Sequence, residues 1–400
     1  MTRRVVITST SVISSLGNFP SEIIYNLKNG NVVFERPSFD GTLTICPIKN
    51  FVLKSFTGRF KQSRYLNRGA EFNVAAASQL ISIAGLSKEV LEKAGLFVGC
   101  GPNLDISSDF PEIHNANMDI DDLQALWILK FLPNTSASVI SSLYGIHGEN
   151  STIATACSAS LQAIGEAYRK IKHGTIEVAI AGGGDSRLNH GGLLAYKKAN
   201  ALWLYNENDY SPFNENNEGF VPGEGGAFFL LEELEHAKKS GREIICEICG
   251  FGTSMDGYNL TAPEPNGKWA EIAVLKAINE SQITPSQVDL IAAHGTGTIL
   301  NDIMEARLID RLFSKKKPFV TALKSWIGHA AAGCGAIELA ILLACLKENY
   351  IPEIRNLKKT CYDGINFVIN PYVFSPSYFI IQNFGFGGQN SALLLKSWIK

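Results

Sequence analysis

The chain predicts an α/β protein built in layers, and three observations carry the prediction. Apolar runs of strand length alternate with segments of helical pattern along most of the 400 residues; apolar residues make up 46% of the chain and charged residues 18%; and Gly, Pro and Ser gather where one pattern gives way to the next. The alternation argues against an all-α or all-β chain. The apolar content is enough to fill a large core and excludes a disordered chain.

In order, the strand-like runs fall at residues 5–9, 95–100, 178–182, 227–232, 244–252, 290–294, 319–322, 378–383 and 391–396, and the helical patterns at 67–84, 158–173, 267–280 and 335–347. The first run follows Arg3-Arg4 but is interrupted by Thr8, Ser9, Thr10, Ser11, Ser14 and Ser15, too polar for the centre of a signal peptide, so it reads as a strand. Residues 209–226 form a long, Asn-rich, polar stretch before the strand at 227, and a loop of that size in a compact domain usually carries function or an interaction. Cys246-Glu247-Ile248-Cys249 has the spacing of a metal or redox pair. It lies within a strand-like run with no second ligand pair, so it reads as structural.

A net charge of −2 argues against a general nucleic-acid binder, and no stretch approaches the roughly 20 apolar residues that span a bilayer. Eight cysteines lie far apart, without the density of a secreted disulfide scaffold. The expectation is a reduced, cytoplasmic protein with no nucleic-acid or membrane partner.

Cys157 lies in Thr155-Ala156-Cys157-Ser158-Ala159-Ser160, between an apolar run and a helical pattern. A thiol at a helix N-terminus faces unpaired N–H groups and the positive end of the dipole, which lowers its pKa and makes it a nucleophile. His294 opens His294-Gly295-Thr296-Gly297-Thr298 at the C-terminal end of a strand-like run, where α/β sheets build their sites. His329 ends Lys324-Ser325-Trp326-Ile327-Gly328-His329, before another helical pattern. Either histidine alone would read as a packing residue. A cysteine and two histidines, each in a turn joining regular elements, point to nucleophilic catalysis.

These motifs, with Pro222-Gly223-Glu224-Gly225-Gly226 and Asn383-Phe384-Gly385-Phe386-Gly387-Gly388-Gln389-Asn390, resemble those of the elongating β-ketoacyl-acyl carrier protein synthases of the thiolase superfamily, in order and spacing, from Val5 to Leu395. The resemblance implies a thiolase-like fold of five αβαβα layers made of two duplicated halves, residues 1–241 and 242–400, joined near Gly241. It implies an acyltransferase that condenses an acyl thioester on Cys157 with a malonyl unit on an acyl carrier protein, extending a fatty acyl, polyketide or polyene chain by two carbons. No metal or organic cofactor is implied, since phosphopantetheine arrives on the carrier protein.

By the same resemblance, His294 and His329 stabilise the enolate left by decarboxylation, the N–H groups of Cys157 and Phe386 form the oxyanion hole, and Phe386 is a gate. Lys324 orients the histidines within an ion network with Asp302, Glu305 and Glu338. Thr261, Thr296 and Thr298 meet the pantetheine arm, and Arg59, Lys61, Arg64 and Arg68 form a docking patch for the acidic carrier. Dimerisation, with a second copy or with a chain-length-factor homologue, is expected through the strand at 178–182 as an open edge.

The sequence departs from the usual pattern at residues 330–335, at 102–138, which helps line the acyl pocket in the family, and at Trp326. These departures point towards a specialised polyketide, aryl-polyene or related pathway. A noncatalytic chain-length-factor-like partner subunit is the alternative reading, and the intact Cys157, His294 and His329 argue against it. A thiolase would carry a second catalytic cysteine where Phe384 to Gly388 stand, and an initiating synthase would have Asn in place of one histidine.

Overall fold

The chain is described by a computed structural model over residues 3–104, 125–206 and 209–398. The strands in chain order are β1 (Val5–Ile13), β2 (Gly95–Gly99), β3 (Asn150–Ile153), β4 (Val178–Ser186), β5 (Glu224–Glu233), β6 (Cys246–Met255), β7 (Leu290–Ala292), β8 (Phe319–Thr321), β9 (Tyr350–Ile351), β10 (Asn366–Phe367), β11 (Tyr372–Val373), β12 (Tyr378–Gly385) and β13 (Gln389–Ser397). Strands β9 and β11 form a small separate pair, and the rest join in the order β10-β8-β7-β12-β13-β6-β1-β5-β4-β2-β3.

Followed outward from the β1/β6 contact, the order repeats itself. One side runs β1-β5-β4-β2-β3 and the other β6-β13-β12-β7-β8, each with two antiparallel pairings followed by two parallel ones. The halves meet where Val5, Val6 and Ile7 pair antiparallel with Ile248, Glu247 and Cys246.

Helices complete five layers. Arg68–Ala84 packs outside β1, β4 and β5, and Lys268–Glu280 outside β6 and β13, while Ala159–Lys172 and Cys334–Lys347 pack on each other between the two halves of the sheet. The last is apolar around most of its circumference, as a helix enclosed on all sides must be. The central core, with Phe97, Leu161, Ile164, Phe229, Leu231, Leu339 and Leu393, therefore draws on both halves.

Residues 178–182 are not an edge. They lie in β4, whose nine residues are all buried between β5 and β2, and the edge of the N-terminal half among the described residues is β3. The short, polar Asn150–Ile153 carries little apolar signal, which is why sequence pattern passed over it. Much of the Asn-rich stretch is buried, with Tyr210, Ser211, Phe213, Asn217 and Val221 inside, and it threads between the two histidine turns. Residues 105–124, within the divergent 102–138 region, lie outside the described residues. Trp326 packs in the central core and donates its indole N–H to the Glu353 carbonyl at 2.8 Å.

Candidate active site

The same local device appears once in each half. A three-residue 3-10 turn whose first residue has positive φ (Ala156, +48°; Ala331, +44°) leads into a 14-residue helix, Ala159–Lys172 or Cys334–Lys347. A non-glycine residue in the left-handed region is strained by about 1 kcal/mol or more, and strain of this kind gathers at functional sites. Cys157 takes the second position of the first turn, and Ala332 the matching position of the second. Both helix N-termini face one cavity of about 350 Å³, lined by Cys157, His294, His329 and Phe386.

The cavity is held from below by β12 and its following turn. A Cβ on Gly385 would sit 3.0 Å from the Thr155 carbonyl oxygen and 3.2 Å from the Cys157 amide nitrogen, so glycine lets the turn lie against the nucleophile. The Phe386 N–H is directed at the Cys157 thiol while its side chain stays 38% exposed. Burial pushes the thiol up to about 11, against the pull of the Lys324 charge and of that N–H. Burial thus acts in the opposite direction to the low-pKa thiolate expected from the helix N-terminus. An acyl exchange that starts from the thiol and releases a second thiol is proton-neutral overall, so it does not require a standing thiolate.

The two imidazoles lie nearly perpendicular with ring centroids 5.5 Å apart. Nδ1 of His329 accepts from the Ala331 N–H at 3.1 Å. The Asn383 amide nitrogen reaches both Glu338 Oε2, at 3.1 Å, and His294 Nδ1, at 3.3 Å, so its two hydrogens serve both acceptors. Each ring therefore carries its proton on Nε2. Burial, then the Lys324 charge, holds both pKa values well below 6.5, with His329 adding to the effect on His294. The pair consists of two neutral donors, suited to negative charge developing on a thioester oxygen.

Lys324 is fully buried with its ammonium 2.5 Å from Glu338 Oε1. Burial opposes its charge, but Glu338, aided by the Cys334 and Glu305 side chains, raises its pKa on balance. Glu305 and Asp302 do not pair with Lys324. They project from the helix Ile299–Leu312 and fasten the His294 loop: Glu305 accepts from the His294 and Gly295 amides at 2.7 and 2.8 Å and from Gln382 at 2.7 Å, while Asp302 accepts from the Gly297 amide at 3.2 Å and the Phe213 amide at 2.7 Å. The ion network expected of three carboxylates is thus one ion pair and two loop anchors.

The Asn-rich segment braces the same turns. The His329 N–H donates to the Val221 carbonyl at 2.7 Å, the Gly223 N–H to the His329 carbonyl at 2.9 Å, Tyr210 Oη to the Thr296 carbonyl at 3.0 Å, and Asn217 to the Gly297 carbonyl. The sequence pattern assigned no role to Asn383, Asn217 or Tyr210, since the histidine turns they brace lie 80 or more positions away.

Thr261, Thr296 and Thr298 lie together on the cavity wall, the last two with hydroxyls 3.0 Å apart. Arg59, Lys61 and Arg64 are exposed. Arg68 is less open: it pairs with Glu224 at 3.0 Å and lies over the Phe51 and Phe72 rings, with its side chain partly exposed. Cys246 and Cys249 sit in β6 as expected of structural cysteines, and among the described residues no cluster of His, Cys, Asp or Glu could hold a metal ion. Among them, too, no helix is long and apolar enough to cross a membrane.

Residues 2–237 match the family model for the N-terminal domain of beta-ketoacyl synthase, and residues 245–358 that for its C-terminal domain. The chain belongs to the beta-ketoacyl synthase family, a family of acyltransferases. It is 29% identical over 413 residues to 3-oxoacyl-[acyl-carrier-protein] synthase 2 of Vibrio harveyi, covering 98% of each chain, and 31% identical over 365 residues to the mitochondrial 3-oxoacyl-[acyl-carrier-protein] synthase of Arabidopsis thaliana, covering 85% of this chain and 78% of that one. Its structure superimposes on that of a beta-ketoacyl synthase from Burkholderia phymatum with a TM-score of 0.91 at 26% identity, covering 99% and 100% of the two chains. The ishigamide ketosynthase/chain length factor gives 0.90 at 25% identity, covering both chains in full.

Proposed function

We propose that this chain takes an acyl group from a carrier-protein thioester onto Cys157 and condenses it with a malonyl thioester, with loss of carbon dioxide. The observation that carries the reading is the meeting of Cys157 with two Nε2-protonated, neutral imidazoles in one cavity. The Cys157 sulfur attacks the acyl carbonyl, whose oxygen collects charge between the N–H groups of Cys157 and Phe386; collapse expels the pantetheine thiol with the proton the cysteine gives up. Malonyl carboxylate then leaves as carbon dioxide, His294 and His329 donate to the enolate oxygen, and the enolate carbon attacks the acyl group and expels the Cys157 thiolate, which takes up one proton from water to restore the thiol.

No bound cofactor is required; Thr261, Thr296 and Thr298 would meet the pantetheine arm of the carrier, and Arg59, Lys61 and Arg64 its acidic surface. The meeting of Cys157, His294, His329 and the Phe386 N–H in one cavity supports this reading over a noncatalytic partner-subunit role.

Intact-mass measurement after incubation with a panel of acyl carrier proteins tests the reading. An acyl adduct on the wild type, absent from Cys157→Ala, is expected, and adding malonyl carrier protein then releases the extended product. His294→Ala and His329→Ala are expected to keep the adduct but slow condensation by roughly 10²–10³-fold. No adduct from any donor on folded protein would overturn the proposal.

A further inference from the structure

The wall of the cavity beyond Cys157 carries a buried ion pair that the reaction does not use. Arg187 Nη2 lies 2.8 Å from Asp185 Oδ2, both side chains are 5–6% exposed, and both line the cavity that holds the nucleophile. Arg187 also donates to the Pro102 carbonyl. Asp185 accepts from the Ala332 amide at 3.2 Å and from the Ser186 amide at 2.8 Å, so the helix turn of the second half positions the carboxylate. Gly101 is fitted to the pair: a Cβ there would fall 1.8 Å from Arg187 Nη2 and 2.4 Å from Asp185 Oδ2.

A purely structural ion pair has no reason to face a substrate cavity. A guanidinium has five N–H donors in a planar fork, and Asp185 and Pro102 engage both terminal nitrogens without exhausting them. An alkyl chain laid against this wall would leave the cavity-facing donors without water or an acceptor, which is unfavourable. An oxygen on the chain would satisfy them. Asp185 already balances the charge, and a substrate carboxylate beside it would be repelled, so the acceptor that fits is uncharged.

We propose that Arg187, positioned by Asp185, selects acyl chains bearing an uncharged acceptor oxygen, a keto or hydroxyl group, over alkyl chains of equal length. The inference rests on the ketosynthase reading of this cavity and names the acyl class that it takes.

The test compares rates of Cys157 acylation by matched pairs of carrier-bound acyl groups of four, six and eight carbons, one alkyl and one keto-substituted, with ω-carboxylated chains as a third arm. The expected result is a preference of roughly tenfold or more for the keto chain at one or more lengths, with the carboxylated chain slowest. Asp185→Asn/Arg187→Leu, which removes both charges together, is expected to bring that ratio to one or below, whereas Arg187→Lys, which keeps the charge and loses the fork, retains part of it. A role confined to packing would change stability and all three rates alike. A wild-type ratio near one, or a ratio unchanged in a folded double variant, overturns the inference; if the double variant does not fold, the wild-type and Arg187→Lys ratios decide it. Absence of any adduct is a different failure: it overturns the ketosynthase reading and this inference with it.

Discussion

At the scale of single residues, protonation state matters more than position. Burial, and then the charge of Lys324, keeps His294 and His329 neutral, each with one N–H to donate from Nε2. Their folded pKa values lie below the unfolded value of about 6.5, so native stability from this source is complete above pH 6.5 and is lost as the pH falls below it. Glu305, raised by burial to about 7, and Asp302, raised to about 6, have the opposite sign: their contribution favours the fold at low pH and declines as the pH rises through those values. A comparison isolates the histidines, because the carboxylates are common to both proteins. The drop in urea midpoint between pH 7 and 5.5 is expected to be smaller in His294→Asn/His329→Asn than in the wild type. Equal drops would mean that the imidazoles titrate as exposed groups do.

At the scale of elements, the site depends on loops fastened to regular structure. The helix Ile299–Leu312 was absent from the sequence pattern because its inward positions include Asn301, Asp302 and Glu305, which interrupt the apolar stripe, yet these are the residues that anchor the His294 loop. Glu305→Ala would leave the buried His294 and Gly295 amides and the Gln382 amide without their acceptor. A loss of about 2–5 kcal/mol in chemical denaturation is expected, with condensation impaired more than acylation of Cys157 because the loop carries His294 and not the nucleophile. Equal impairment of both steps would show that Glu305 supports the cavity as a whole. The long strands and the 14-residue helices were legible to within a few residues, whereas β3, β9, β10 and β11, of two to four residues, are too short to show a period.

At the scale of the molecule, β3 and not residues 178–182 is the edge of the N-terminal half among the described residues, so an interface expected at an open edge is to be tested there. The carbonyls of Glu149 and Ile153 accept from β2, so by alternation the Thr152 amide faces away from the sheet. If dimerisation extends the sheet at this edge, Thr152→Pro removes an outward donor without touching the β2 ladder. Light scattering is expected to show a dimer for the wild type and a shift towards monomer for this variant at equal concentration. A dimer unchanged by the proline would place the interface elsewhere.

The sequence by itself determined the layered α/β class, the family, and the three residues, Cys157, His294 and His329, that meet in the cavity. Those follow from local information: period, turn composition, and a cysteine and two histidines in short motifs. Tertiary structure decided what local pattern cannot express. It placed β4 inside the sheet, separated the Lys324–Glu338 ion pair from the loop anchors Glu305 and Asp302, tied Arg68 to Glu224, and buried Cys157 so that its thiol is pushed up. It also put Asp185 and Arg187 in the wall of the cavity that holds Cys157. Each of these outcomes depends on burial and on partners distant in sequence, and desolvation is a property of the whole packed molecule that no single segment encodes.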